Sequence, residues 1–278
     1  MDLSRILMTV DYDRTLTDPF SRVPQRNLDA IVRFMDLGGS FTLNTGRSLP
    51  LGRYQAEHVP MNAPGIFYNG ALAYDLPNER ICFCTEIPLE PQALLNGLRE
   101  NFPEMMVEVQ GVNAHYGVPY EPLWFRYGQE NHMRGQESGF SSMTGPFLKV
   151  SLFGKFRDGT VAQFYETTPE EEARFQEAER WLRRSFPGAL SVVRGAPRIL
   201  DAGAAGTSKG IAARRLAEEM GKILVCVGDG TNDASMLEEA DFAFVPSDGH
   251  ESLTSRFHNV CPCAQGSIAD VVRILEKK

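Results

Sequence analysis

The chain has 278 residues, 42% of them apolar, with a formal net charge of -8 and a pI near 5.3. That is enough apolar material for one large domain or two modest ones with real cores, and it excludes disorder as the main state. The acidic balance opposes binding to bulk nucleic acid or anionic membrane, so an anionic ligand must be held by local cations.

At the N-terminus RILMTV (5–10) reads as a buried strand. It is too short for a signal peptide or a membrane span, and no later run reaches the roughly eighteen consecutive apolar residues of a spanning helix, so a cytoplasmic location is the default expectation. After Pro24, the residues Leu28, Ile31, Val32 and Met35 recur at helical spacing. Gly38 and Gly39 offer left-handed geometry to end that helix, and SFTLN (40–44) supplies the next strand, completing a βαβ unit. From about 85 to 189 aromatics and loops increase, with KVSLFGKF (149–156) as a strand and ETTPEEEARFQEAERWLRRSF (166–186) as a helix. Within this part GQENHMRGQESGFSSMTG (128–145) is the best candidate for a mobile loop. Alternation then resumes. Ala213, Leu216, Ala217 and Met220 mark a helix, ILVCV a strand, Met236 and Leu237 a helix, and FAFV a further strand. The expected fold is α/β, a Rossmann-like parallel sheet core with helices on both faces, built from 1–84 and 190–278, with an α+β domain inserted at 85–189.

The five cysteines are spaced for neither a zinc site nor a redox pair: Cys82/Cys84 and Cys261/Cys263 are C-x-C, and Cys226 lies inside an apolar strand. Ordinary buried thiols are expected.

Four short motifs carry chemistry. DYDRTLT puts Asp11 and Asp13 two apart at the end of the first strand, where a parallel sheet presents its ligand-binding edge. Two carboxylates in one site repel, and a hard divalent cation with oxygen ligands is the usual remedy, which argues for magnesium. A calcium EF-hand loop would need Gly and Glu where Leu16 and Arg22 stand. NTGR ends the second strand and offers the Thr45 hydroxyl and Gly46 amide to a phosphate oxygen. GTSKG sets Lys209 at a helix N-terminus, where positive charge and free amides both favour an anion. VGDGTND after ILVCV carries Asp229 and Asp233 across a tight glycine turn, and it lacks the third glycine of a dinucleotide fingerprint. Each motif alone has a bland reading as surface acids, a capped turn or a solvated lysine.

Together, the order DxDxT, TGR, lysine before a helix, GDGTND resembles the haloacid dehalogenase-like (HAD) phosphatases over essentially the whole chain. Asn69 to Ala71 (NGA) and the position of the insertion resemble the Cof-type subgroup, which implies that 85–189 is a cap domain. The resemblance implies Asp11 as covalent nucleophile and Asp13 as the acid that protonates the leaving oxygen and then activates water. It also implies that Thr45, Gly46, Lys209 and Asn232 bind the phosphoryl group. Magnesium would be held by Asp11, the Asp13 backbone carbonyl, Asp229 and, directly or through a further group, Asp233. The substrate implied is a small phosphorylated metabolite such as a sugar phosphate. Two departures stand out: Arg14 occupies a position where the family often has glycine, and VPSDGHESL (245–253) replaces a more usual Met-x-Asn-Ala segment.

Three rival readings remain. A phosphate-binding regulatory module could keep the fold without chemistry, though it would not need Asp13. A phosphomutase or phosphotransferase could use the same acids with a hydroxyl acceptor. Finally, Gly206 to Gly210 matches G-x-S-x-G, with Ser208 as nucleophile and Asp229 or Asp241 followed by His250 or His258, but small residues separate it from its strand. In the insertion His115, Tyr116, Tyr120, Trp124, Arg126 and Tyr127 suit a sugar or heterocycle, yet Trp124 and Phe125 are more often core.

Overall fold

The computed structural model describes residues 1–117, 122–130, 136–138, 143, 145–155, 157, 164 and 166–277. In chain order the strands are β1 (Ile6–Val10), β2 (Ser40–Leu43), β3 (Gly65–Phe67), β4 (Leu72–Asp75), β5 (Arg80–Cys84), β6 (Met106–Gly111), β7 (His115–Gly117), β8 (Gln136–Ser138), β9 (Phe147–Phe153), β10 (Leu190–Ala196), β11 (Ile199–Ala204), β12 (Ile223–Val227), β13 (Phe242–Pro246) and β14 (His258–Val260). The helices are α1 (Gln25–Asp36), α2 (Leu49–Ala56), α3 (Pro91–Asn101), α4 (Pro122–Glu130), α5 (Pro169–Ser185), α6 (Lys209–Glu219), α7 (Ala234–Glu239), α8 (Glu251–Thr254) and α9 (Ser267–Lys277). Among the described residues, no helix is long and apolar enough to cross a membrane.

The first compact unit comprises Met1–Gly46, Gln55–Cys84 and Ser208–Lys278. Its main sheet is parallel throughout, in the order β14-β13-β12-β1-β2. Strand β1 lies between β12 and β2 and is buried at every residue, so its sequence is apolar on both faces rather than alternating. Its side chains split by pleat: Ile6, Met8 and Val10 pack with Ile31 and Phe34 of α1 and Val271 and Leu275 of α9. Leu7 packs on the other face with Ala213 and Leu216 of α6 and Met236 of α7. The buried stripe of α1 is Asn27, Ile31 and Phe34, and Val32, expected to face inward, is exposed. The helix is rotated because Asn27 is used for bonding: its side chain donates to the Leu16 carbonyl at 3.0 Å and accepts the Ile268 amide at 3.1 Å. Gly38 follows α1 at φ +90, against the Ser4 side chain, where a Cβ would come to 2.9 Å. An antiparallel sheet β3-β4-β5 completes this unit.

The second unit comprises Arg47–Tyr54 and Thr85–Thr207. Its sheet runs β10-β11-β9-β6-β7-β8. One face is apolar, with Val107, Val109, Val150, Leu152 and Leu200 packed on Leu94, Leu98, Phe175 and Leu182 of α3 and α5. Glu108, Gln110, Lys149, Ser151 and Asp201 alternate with them and are buried as well. There Lys149 donates to Asp201 at 3.1 Å and Ser151 to Asp201 at 2.6 Å. The unit extends past the edge expected at 189. Strand β11 pairs antiparallel with β9 from Ile199↔Phe153 to Gly203↔Lys149, and β10 pairs with β11, so 190–207 belongs here and not to the core. Trp124 is fully buried among Met106, Phe153 and Phe164, as its reading as core requires. Most of the loop expected at 128–145, and Tyr120, lie outside the described residues.

Candidate active site

Three loops leave the parallel sheet at its C-terminal edge, locked to it by backbone bonds. The Asp11 amide donates to Val227 at 2.9 Å, the Asn44 amide to Val10 at 2.8 Å, and the Gly228 amide to Phe244 at 3.3 Å. The candidate residues of the four motifs, Asp11, Asp13, Thr45, Gly46, Lys209, Asp229, Asn232 and Asp233, lie in the first unit. After Asp11 the chain winds through a tight turn, Tyr12–Leu16, in which Arg14 adopts φ 61, ψ 6. For a residue with a Cβ this left-handed conformation costs roughly 1–2 kcal/mol. The turn is braced by Asn27 on the Leu16 carbonyl, by the Ser267 hydroxyl donating to the Thr15 carbonyl at 2.8 Å, and by the Arg14 amide donating to Thr17 Oγ1 at 3.1 Å.

Helix α6 is seated from two sides. The Asn44 side chain donates to the Lys209 carbonyl at 3.0 Å. Gly70, at φ +100, lies so close that a Cβ would sit 2.2 Å from the Ser208 carbonyl oxygen. In the GDGTND loop, Asp233 Oδ2 accepts the amides of Asp229 and Gly230, each at 3.0 Å.

These supports converge on one ion cluster. Lys209 Nζ donates to Asp11 Oδ1 at 2.5 Å and to Asp233 Oδ1 at 2.6 Å. Thr15 Oγ1 donates to Asp229 Oδ1 at 2.7 Å. Carboxylate oxygens of Asp11, Asp229 and Asp233 lie within 4.8 Å of one another. Lys209 and Asp233 are each 1% exposed and Asp11 6%. Burial pulls the Lys209 ammonium down, but the two carboxylates outweigh it and its pKa is raised. Burial pushes Asp11 well above the ordinary carboxylate range, with repulsion from Asp233, Asp229 and Asp13 adding to it and Lys209 opposing. Asp229 is pushed up to about 7 by burial and by Asp233, against the Thr15 hydrogen bond and the charges of Lys209 and Arg14. Three carboxylates facing one ammonium leave surplus negative charge in a buried place, and the raised pKa values express it. A hard divalent cation with oxygen ligands fits such a donor set.

The structure thus brings together Asp11, Lys209, Asp229 and Asp233. Asp13 lies on the same turn, half-buried, outside the cluster of carboxylate oxygens. Thr45 is buried just past β2, its amide donating to Ile66 at 2.9 Å. A Cβ at Gly46 would approach Asn69 Oδ1 to 2.6 Å, so a larger residue there would require the Asn69 side chain to move. Asn232 stands half-buried in the GDGTND loop. Sequence reasoning missed Thr15 and Asn44 as working residues. Thr15 was visible as the final letter of DxDxT, whereas nothing local distinguishes Asn44 from any strand-ending residue. Ser208 is a helix cap: its hydroxyl accepts the Ile211 amide at 3.1 Å. His250 Nδ1 is paired with Ser252 Oγ at 2.8 Å, and the His258 ring lies edge-on to Phe244, so neither candidate base serves Ser208.

Residues 8–272 match the family model of the haloacid dehalogenase-like hydrolases. The chain belongs to this family. This HAD-like hydrolase is 25% identical over 273 residues to a phosphoglycolate phosphatase of Aeropyrum pernix, covering 96% of the chain and 92% of the relative. Among solved structures, a haloacid dehalogenase-like hydrolase from Bacteroides thetaiotaomicron superposes with a TM-score of 0.80 at 18% identity, covering 97% of this chain and 98% of that one. A HAD subclass IIB sugar phosphatase superposes with a TM-score of 0.76 at 18% identity, covering 97% and 98%. Within this family the chain is of the Cof type.

Proposed function

We propose that this chain is a magnesium-dependent phosphatase that hydrolyses a small phosphorylated metabolite, a sugar phosphate or related ester, in the cytoplasm. One observation carries the reading: a buried lysine shared by Asp11 and Asp233, with Asp229 beside them, at the ligand-binding edge of a parallel sheet. A structural ion pair would need one carboxylate, not three.

In this reading Asp11 attacks phosphorus, forming an aspartyl phosphate as the bond to the leaving oxygen breaks. The Asp13 carboxyl gives its proton to that oxygen. It then takes a proton from the water that cleaves the aspartyl phosphate, so phosphate leaves and Asp11 is restored. Thr45, the Gly46 amide and Asn232 donate to the non-bridging oxygens, and Lys209 offsets their charge. The carboxylates of Asp11, Asp229 and Asp233 and the Asp13 backbone carbonyl would hold magnesium, which supplies the positive charge that lets a carboxylate meet a phosphate dianion.

Phosphorylated sugars, hydroxy acids and nucleotides incubated with the protein should yield free phosphate with magnesium and none with excess chelator. Transfer to a sugar hydroxyl would make it a phosphotransferase. Tight ester binding with no release would make it a regulatory module.

Proton competition at the acids predicts a pH effect on metal binding. With Asp229 near 7 and Asp11 raised, protons occupy ligands below that pH. Apparent magnesium affinity should therefore climb by about tenfold per pH unit below 7 from Asp229 alone, and less steeply once that carboxyl has ionised. Calorimetric titration from pH 5.5 to 8.5 checks this, and a flat profile contradicts the assignment of these ligands.

A further inference from the structure

Asp229 is held at both of its ends. Its side chain accepts the Thr15 hydroxyl of the nucleophile turn at 2.7 Å, and its backbone carbonyl accepts the His250 amide at 2.8 Å, from the loop that follows β13. That loop lies in the segment 245–253 that departs from Met-x-Asn-Ala. The turn and the loop are in turn fastened to each other. Asp248 Oδ1 accepts the Cys263 amide at 2.9 Å, and Oδ2 accepts the Cys263 thiol at 3.1 Å. Burial, and then the Asp248 carboxylate, push that thiol up to about 12, so it keeps its proton and donates. A little further along, the Ser267 hydroxyl donates to the Thr15 carbonyl at 2.8 Å. The bonds close a ring from Asp229 through Thr15, Ser267, Cys263, Asp248 and His250 back to Asp229. Asp248 itself is exposed, so water could serve both its oxygens and its pairing adds little to global stability. Its effect is local, on the frame around Asp229.

Resting on the reading of these acids as magnesium ligands, we propose that Asp248 is a positioning residue: by closing this ring it fixes Asp229 relative to the nucleophile turn and so sets the preference of the site for magnesium over a larger divalent cation. Magnesium demands short, near-octahedral coordination, whereas calcium accepts a looser and more variable set of oxygens. A carboxylate held at both ends suits the first ion, and loosening its frame penalises that ion more than the second. Were Asp248 acting by charge instead, neutralising it would weaken both ions alike.

Magnesium and calcium, each titrated calorimetrically into the full chain at one pH, give the two affinities. In Asp248→Ala magnesium affinity should fall by about tenfold, the lower end of what losing a partner behind a metal ligand costs, and calcium affinity by no more than about threefold. Asp248→Asn keeps an acceptor for the Cys263 amide and should hold the ratio of the two affinities within about twofold of wild type. Ser267→Ala opens the ring at another link without touching Asp248 and should shift the ratio the same way as Asp248→Ala. The metal-free melting temperature of Asp248→Ala should fall by no more than about 4 °C, as suits an exposed side chain. A ratio unchanged in Asp248→Ala or in Ser267→Ala, or equal losses for both ions in Asp248→Asn, overturns the positioning role and leaves the metal site standing. A wild-type protein that binds neither ion overturns it together with the magnesium reading.

Discussion

Asparagine in place of Asp11 should reduce phosphate release from every ester by about four orders of magnitude or more, the scale of losing a covalent nucleophile. The same substitution should raise the melting temperature of the metal-free protein at pH 7. The carboxamide keeps an oxygen for Lys209 Nζ but has no anionic lone pair with which to attack phosphorus. Its stability effect follows from the surplus charge. Burial, with repulsion from Asp233, Asp229 and Asp13, holds the folded-state pKa of Asp11 above its unfolded value, and Asp229 is raised to about 7. A raised carboxylate binds its proton more tightly when folded, so ionisation costs stability as pH climbs from the ordinary carboxylate range through the folded-state value. Metal-free wild type should therefore lose stability as pH climbs from about 4, through about 7 for Asp229 and with Asp11 adding to the loss, and Asp11→Asn should lose less. Thermal melts in chelator across that window, paired with phosphate release, check both halves. A variant that melts below wild type at pH 7 would mean the cluster is not charge-frustrated, and one that still turns over esters would remove Asp11 as nucleophile.

The residues that sequence reading reached are those whose type and spacing carry their own chemistry. Asp11, Lys209, Asp229 and Asp233 stand at strand or helix ends that apolar periodicity locates, and an acid at a parallel sheet's C-terminal edge has few structural uses. Asn44 escaped because its role is long-range: it donates to the carbonyl of Lys209, 165 residues away, and no local pattern encodes that partner. The boundary at 189 failed for a similar reason. The segments SVVRG and RILDA form β10 and β11, but a short apolar run does not say which sheet it joins. The structure joins β10 and β11 into an antiparallel pair through the short connection at Pro197 and Arg198, and attaches them to β9. A two-residue connection between strands is a hairpin signal that could have been weighed. In α1 the polar Asn27 is buried because it bonds two distant backbone segments, which periodicity assigns to the solvent face.

Methionine at Lys209 should shift stability in the opposite direction to asparagine at Asp11. The ammonium is 1% exposed and is the positive partner of both Asp11 and Asp233. Removing it leaves buried carboxylates without their counter-charge, a loss of about 3–5 kcal/mol in metal-free buffer near neutral pH. Turnover should fall by about two to three orders of magnitude with magnesium present, since a preorganised cation facing the transferring phosphoryl group is lost. Combining Lys209→Met with Asp233→Asn separates the two effects. Deleting one negative charge should recover part of the stability, because residues in one ion cluster are not additive, while activity stays low. Urea unfolding of the two single variants and the double variant gives the coupling directly. Should Lys209→Met cost less than about 1 kcal/mol, the level of a surface pair, the lysine is not the charge that holds this cluster together. Recovery of turnover in the double variant would instead show that Lys209 serves folding and not the phosphoryl group.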